Sequence, residues 1–172
     1  MIAMMKLTLS IALAGLLAAC TAPVAVTGPG DEPVGTGGSA TRILDTAMAA
    51  KLRGSSGITL QWISWDWRGQ VEVTQPDDVI FIHAVQDSAD APAGVRDLSS
   101  GRVEMDGRVT EVGPDYFLFD GTIRIKDAPD TGRDCLRKGP MTFLITQNRR
   151  YWRLQDMEAC GDGLTDYVDI YF

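Results

Sequence analysis

The stretch 101-GRVEMDGRVTEVGPDYFLFDGTIRIK-126 decides how the rest of the chain is read. Val103, Met105 and Val109 alternate with Glu104, Asp106, Arg108 and Thr110, and Phe117, Phe119, Ile123 and Ile125 alternate with Asp120, Thr122 and Arg124. A period of two is the mark of half-buried strands, so the segment reads as a β-hairpin. With Gly113-Pro114-Asp115 as its loop and Val112 facing Tyr116, the apolar pairs are Val103 with Ile125, Met105 with Ile123 and Val109 with Phe119. The same register sets Glu104 against Arg124 and Arg108 against Asp120, each pair contributing about 0.2–1 kcal/mol. A two-residue slide one way opposes Asp106 to Asp120. The slide the other way keeps charges matched but moves the turn off its Gly-Pro, so the first register is preferred and the last stays open. Gly107 then faces Gly121, a notch that marks a sharp bend or the close approach of a large side chain. A bend favours a small barrel or a tightly coiled sheet.

Strand patterns continue on both sides of this hairpin. Upstream, Ile58 to Thr74 reads as a hairpin around Asp66-Trp67-Arg68-Gly69, with Ile58, Leu60 and Trp62 on the face of Val71 and Val73, and with Ile63, Trp65 and the tip residue Trp67 on the other side. Val79 to Val85 is a nearly continuous apolar run, expected to be central and buried on both faces, and it holds His83, the single histidine. Gln86 to Ser100 is a long loop and a candidate rim for a binding site. Downstream, Asp127 to Gly139 reads as irregular. A second hairpin follows around Asn148-Arg149, pairing Phe143 with Leu154 and Ile145 with Trp152 and leaving Tyr151, Arg153 and Gln155 outside. The last strand, Tyr167 to Phe172, alternates Val168, Ile170 and Phe172 against Tyr167, Asp169 and Tyr171.

The only strong helical pattern is Thr41 to Arg53, where Ile43, Leu44, Ala47, Met48 and Leu52 recur at helical spacing after a cap at Ser39 or Thr41. Such a helix needs a partner face, and it is expected to cover the Trp65 side of the sheet. The fold expected is therefore all-β: about eight antiparallel strands as a small barrel or coiled sandwich, with one N-terminal helix at 41–53, all in one domain spanning 41–172.

The chain opens with Lys6 and an apolar run from Leu7 through Ala19, ending in Leu17-Ala18-Ala19-Cys20. This is a secretory signal, too short and wrongly flanked for a spanning helix. It resembles the signal peptide and lipobox of bacterial lipoproteins over the first twenty residues. That resemblance implies cleavage of residues 1–19, acylation of Cys20 (palmitate among the chains) and a membrane partner through the N-terminal lipid. With Thr21 rather than Asp after the cysteine, it implies the bacterial outer membrane, facing the periplasm. Residues 20–40, rich in Gly, Pro and Thr, cannot bury enough surface to fold and read as a disordered tether spanning roughly 25 Å.

After cleavage fifteen cations face twenty-three anions, a formal charge of −8. An acidic domain is ill suited to nucleic acid, and its plausible charged partners are cationic proteins, with a glycan as the other candidate partner. Cys135 and Cys160 flank the second hairpin and are expected to form one disulfide in an oxidising compartment. A metal or redox pair would want further ligands or a Cys-x-x-Cys spacing. The acids Asp156, Glu158, Asp162, Asp166 and Asp169 fit no calcium-loop spacing and read as a solvated turn. No nucleophile elbow, phosphate loop or zinc-protease helix is present, so no catalytic residue, metal or cofactor is assigned. The function expected is a non-catalytic binding or structural module of the cell envelope. Its candidate surface is made of Trp65, Trp67, Tyr151, Arg153, Tyr167 and Tyr171. The alternatives are an envelope hydrolase acting on glycan or peptidoglycan through carboxylates, or an acidic inhibitor of a cationic enzyme.

Overall fold

A computed structural model describes residues 39–95 and 99–172; the signal segment, Cys20, most of the tether and residues 96–98 lie outside the described residues, and of the stretch read as the Gln86–Ser100 loop Gln86 and Asp87 belong to a strand. Nine strands and one helix follow in the order β1 (Arg42–Ile43), α1 (Thr46–Arg53), β2 (Gly57–Leu60), β3 (Gln70–Thr74), β4 (Ile80–Asp87), β5 (Arg102–Val112), β6 (Tyr116–Lys126), β7 (Asp134–Leu144), β8 (Tyr151–Leu154) and β9 (Val168–Tyr171). Eight strands form one antiparallel sheet ordered β2-β9-β8-β7-β6-β5-β4-β3. From β3 to β9 chain neighbours are sheet neighbours, and β3 returns to β2 through a bridge between Ile58 and Gly69, whose two backbone bonds measure 3.3 and 2.9 Å. The result is an up-and-down barrel, nearly closed, with a thin seam.

The central hairpin takes the preferred register from Val103–Ile125 through Gly107–Gly121 to Val109–Phe119. Beyond Val109 a bulge at Thr110 advances the pairing by one, so Val112 faces Phe117 rather than the expected Tyr116. The bulge lets both Glu111 and Val112 be buried at the barrel end. Gly139 of β7 continues the glycine row beyond Gly121. A Cβ on Gly107 or Gly121 would meet the Phe119 ring tip at 2.7 or 2.6 Å, so the notch is filled by the aromatic ring it admits.

Interior positions carry Ile58, Leu60, Ile80, Ile82, Met105, Phe117, Phe119, Phe143, Trp152 and Ile170, among others, as one buried core. Phe117 and Phe143 stack at 4.7 Å, and Trp152 meets Phe117 edge-on at 5.5 Å. The barrel is thus a packed core, and each aromatic buried in it contributes in proportion to its area.

Five local expectations change. Thr41 to Asp45 is not helical: the Thr41 hydroxyl accepts from Ile80 N at 2.8 Å and donates to Val109 O at 2.7 Å, and β1 pairs parallel with Glu111–Val112. The helix starts at Thr46, with Asp45 as cap accepting from Met48 N at 2.9 Å. It presses Met48, Ala49 and Leu52 into the barrel core near the end of β9, where Lys51 lies over Phe172, and leaves Trp65 54% exposed. The helix therefore stoppers the barrel and does not cover the Trp65 face, because the open core end offers more apolar area than an outer wall does.

The Ile58–Thr74 hairpin does not form in its expected register: Ile58 meets Gly69, and among the described residues that single bridge is all the pairing between the two segments. β2 ends at Leu60 and the chain folds over the far barrel end, burying Ile63 completely. Gln86, buried and inward-facing, holds that loop: its amide oxygen accepts from Leu60 N at 2.7 Å and its nitrogen donates to Ser64 O and Trp67 O at 3.0 Å. β4 is buried on one face only, since a barrel wall has an outside; Phe81 and His83 are exposed. Finally, β7 begins at Asp134 within the stretch read as irregular. Pro140 is tolerated there because β8 pairs only with Phe143 and Leu144, beyond it.

Candidate functional site

The outer wall over β8, β9 and β2 carries a side-chain assembly unlike the rest of the surface. Alternation turns Thr59, Asp169 and Arg153 outward, and the register sets them in one row across the three strands. Arg153 Nε and Nη2 donate to the two Asp169 oxygens at 2.7 and 2.6 Å. Although it points away from the core, this pair is dry: Asp169 is 1% exposed and Arg153 9%. The cover is aromatic. The Arg153 guanidinium lies 4.3 Å from the Tyr167 ring centre, 5.2 Å from Tyr151 and 5.9 Å from Trp65. Tyr151 and Tyr171 are 5.1 Å apart; Arg68 lies 4.0 Å over Tyr171 and Arg149 5.6 Å over Tyr151.

The electrostatics follow from this packing. Burial pushes the Asp169 carboxyl up from its ordinary value, against the hydrogen bonds from Arg153, and those same bonds push the Arg153 guanidinium up. Burial likewise raises the Tyr171 phenol. The rings shield a charge pair, and the charge pair orients the rings.

Of the six residues picked from sequence as a binding surface, Trp65, Tyr151, Arg153, Tyr167 and Tyr171 come together on this wall. Trp67 does not. It packs partly against the core and lines an adjoining groove that shares Arg68 with the wall and is otherwise lined by Gly69, Gln70, Val85, Asp87, Asp90 and Pro92.

A second polar centre closes the barrel end opposite α1. Asp166, fully buried, accepts from Arg133 Nη1 and Nη2 at 2.9 Å each, from Arg137 Nη2 at 2.7 Å and from the Trp62 indole at 3.1 Å. Arg137 also donates to the carbonyls of Asp156 and Met157. Cys135 and Cys160 are joined as a disulfide with Cα atoms 5.7 Å apart, clipping the same loop to β7. The Asp166 carboxylate and the two sulfurs lie within 4.8 Å of one another. A cation would find those sulfurs bonded to each other and the carboxylate filled by two guanidinia, so the donor set does not suit a metal. Asp162 is bound by Arg133 at 2.6 Å. The acids read as a solvated turn are in part the counter-ions of a buried arginine pair, which sequence missed because Arg137 sits on an inward position of a strand not recognised as one.

His83 lies outside on β4, its Nδ1 3.1 Å from Asp106 Oδ2 and its register partner Glu72 on the other side. A shallow hollow bounded by Phe81, Thr74 and Gly107 adjoins it. Histidine with a carboxylate can orient a proton, but among the described residues no Ser or Thr hydroxyl and no Cys thiol bonds to the ring.

Among the described residues no helix is long and apolar enough to cross a membrane. A model of the PM1083 family matches residues 40–172, the span of the helix and barrel. An uncharacterized protein, PM1083 of Pasteurella multocida (strain Pm70), is 35% identical over 123 residues, which cover 71% of this chain and 74% of that protein. No solved structure matches the chain. The chain belongs to the PM1083 family.

Proposed function

We propose that this member of the PM1083 family is a non-catalytic binding module of the bacterial cell envelope, anchored by lipid on Cys20, and that its ligand docks on the outer wall formed by Trp65, Tyr151, Tyr167 and Tyr171. One observation carries the reading: a half-exposed tryptophan and three tyrosines are gathered over a dry ion pair on the outside of a barrel whose interior is already filled by its own side chains. A filled barrel binds at its surface, and aromatic side chains held in place by a charged scaffold lose little entropy on contact. Asp169, the carboxylate set within this wall, is engaged by Arg153, which argues against a hydrolase using it. Anchoring rests on the lipobox, Leu17-Ala18-Ala19-Cys20.

The anchor is tested by alkyne-palmitate labelling, expected on wild type and absent in Cys20→Ala. The surface is tested by a photocrosslinking residue in intact cells, placed at Trp65 or at Leu136, which is exposed on another strand. Adducts at 65 and none at 136 are expected. Equal yields at the two positions, or turnover of envelope glycan by the purified protein, would displace the binding reading.

A further inference from the structure

The chain is acidic as a whole, and most of its described arginines are paired with acids. Arg102, Arg108, Arg124, Arg133, Arg137 and Arg153 all hold carboxylates. Arg68 and Arg149 do not, and neither does Arg53 on the helix, which donates to the Gln75 amide. Arg68 donates to the Ser56 hydroxyl at 2.8 Å and Arg149 to the Gln147 amide at 2.7 Å, and among the described residues neither has a carboxylate within ion-pair distance. Both lie on the aromatic wall, where the sequence Arg68, Tyr171, Tyr151, Arg149 runs as a stripe with steps of 4.0, 5.1 and 5.6 Å. Asp169, the carboxylate beneath the stripe, is occupied by Arg153. Asp66 follows Trp65 in the chain, and on its far side Arg68 borders the groove that also holds Asp87 and Asp90, of which Asp87 is engaged by Arg102.

From this geometry we infer that the ligand of the wall is a carboxylate-bearing saccharide, its sugar faces on the Trp65, Tyr167, Tyr151 and Tyr171 rings and its carboxylates on Arg68 and Arg149. The inference rests on the binding reading above and narrows it. A guanidinium fork left without an acid is matched by a carboxylate in two-bond geometry. Rings between the forks call for a ligand that alternates flat C–H faces with anionic groups, which an acidic sugar chain does and an acidic peptide does not. The domain's overall negative charge does not prevent this, because charges more than about 8–10 Å away are screened at physiological salt while contact pairs are not. The expectation from composition, that charged partners are cations, is reversed at this one face.

The test is calorimetric titration of the purified protein with hexagalacturonate, with its fully methyl-esterified form, which keeps the rings and removes the charges, and with hexaglutamate. Hexagalacturonate is expected to bind at least ~10-fold more tightly than the ester, with Arg68→Gln and Arg149→Gln each costing about 10-fold in Kd for the acid and little for the ester. Trp65→Ala is expected to weaken both sugars. Equal binding of acid and ester, still dependent on Trp65, overturns the anionic assignment and leaves the binding wall intact. Arginine-dependent binding of hexaglutamate without either sugar overturns the saccharide. No binding of any probe overturns the inference, while crosslinks from position 65 in cells would show that the wall still has a partner.

Discussion

Arg153 and Asp169 make a two-bond ion pair, at 2.7 and 2.6 Å, on the outer side of a barrel wall and yet almost out of water. Removing the cation leaves a buried carboxylate facing rings. Arg153→Ala is expected to lose about 3–5 kcal/mol, whereas the double change Arg153→Met with Asp169→Leu is expected to lose much less. Urea unfolding of the three proteins measures it; equal losses for single and double variants would mean that water reaches the pair.

The Cys135–Cys160 bridge closes a separation of 25 residues around β7, β8 and the loop that leads to Asp166. Its reduction is expected to lower stability by about 3.5 kcal/mol on the chain-entropy account. Under limited proteolysis the first new cuts should fall between residues 155 and 166. A reduced protein that melts unchanged and is cut elsewhere would show that the arginine network alone holds this end.

Gly121 sits where its Cβ would meet the Asp106 carbonyl at 2.4 Å and the Phe119 ring at 2.6 Å. Gly121→Ala is expected to destabilise the barrel by about 1–3 kcal/mol through overpacking. Adding Phe119→Leu should not rescue it, since the backbone carbonyl remains; full rescue in thermal melts would place the conflict in the ring alone.

Glu111 ties the N-terminal strand to the barrel by accepting from the Tyr116 hydroxyl and from Arg42. The Tyr116 bond first, then Arg42, hold its carboxyl below the ordinary 4.5. A depressed folded value means that ionisation favours folding. This contribution is complete above the ordinary value and fades as pH falls through the folded one. Glu111→Gln should flatten the loss of stability on acidification below about pH 4.5, seen by denaturation at stepped pH. An unchanged acid limb would assign it to other carboxylates.

Thr41→Val removes a buried hydroxyl that serves both Ile80 N and Val109 O. An expected cost of about 1–3 kcal/mol follows from stranding a buried donor and acceptor. Hydrogen exchange at Ile80 should quicken with it.

Much of the barrel is legible in the sequence, and for a physical reason. A period of two states which side of a strand is wet, charge pairs select among registers, and Gly107 against Gly121 announces a bend. All of these act between neighbours on adjoining strands, so the pairing from Val103–Ile125 to Val109–Phe119 and the outward facing of Tyr151, Arg153, Asp169 and Tyr171 are legible in the order of residues, whereas the bulge at Thr110 is not. The pairing of Cys135 with Cys160 follows from the same local logic.

What only the tertiary structure decided depends on where distant segments meet. Whether Trp65 lies beside Arg153 depends on the loop after Leu60, and that loop is held by Gln86, a residue with no local signature. Asp166 looks like one acid in a polar turn until β7 delivers Arg137 and the preceding loop delivers Arg133 to it. The helical pattern from Thr41 is cut short because its first residues gain more as a strand latched to β5 than as a turn of helix. Local pattern set the faces of each strand; closure of the barrel chose which of those faces would be covered, and left one aromatic wall with its arginines open.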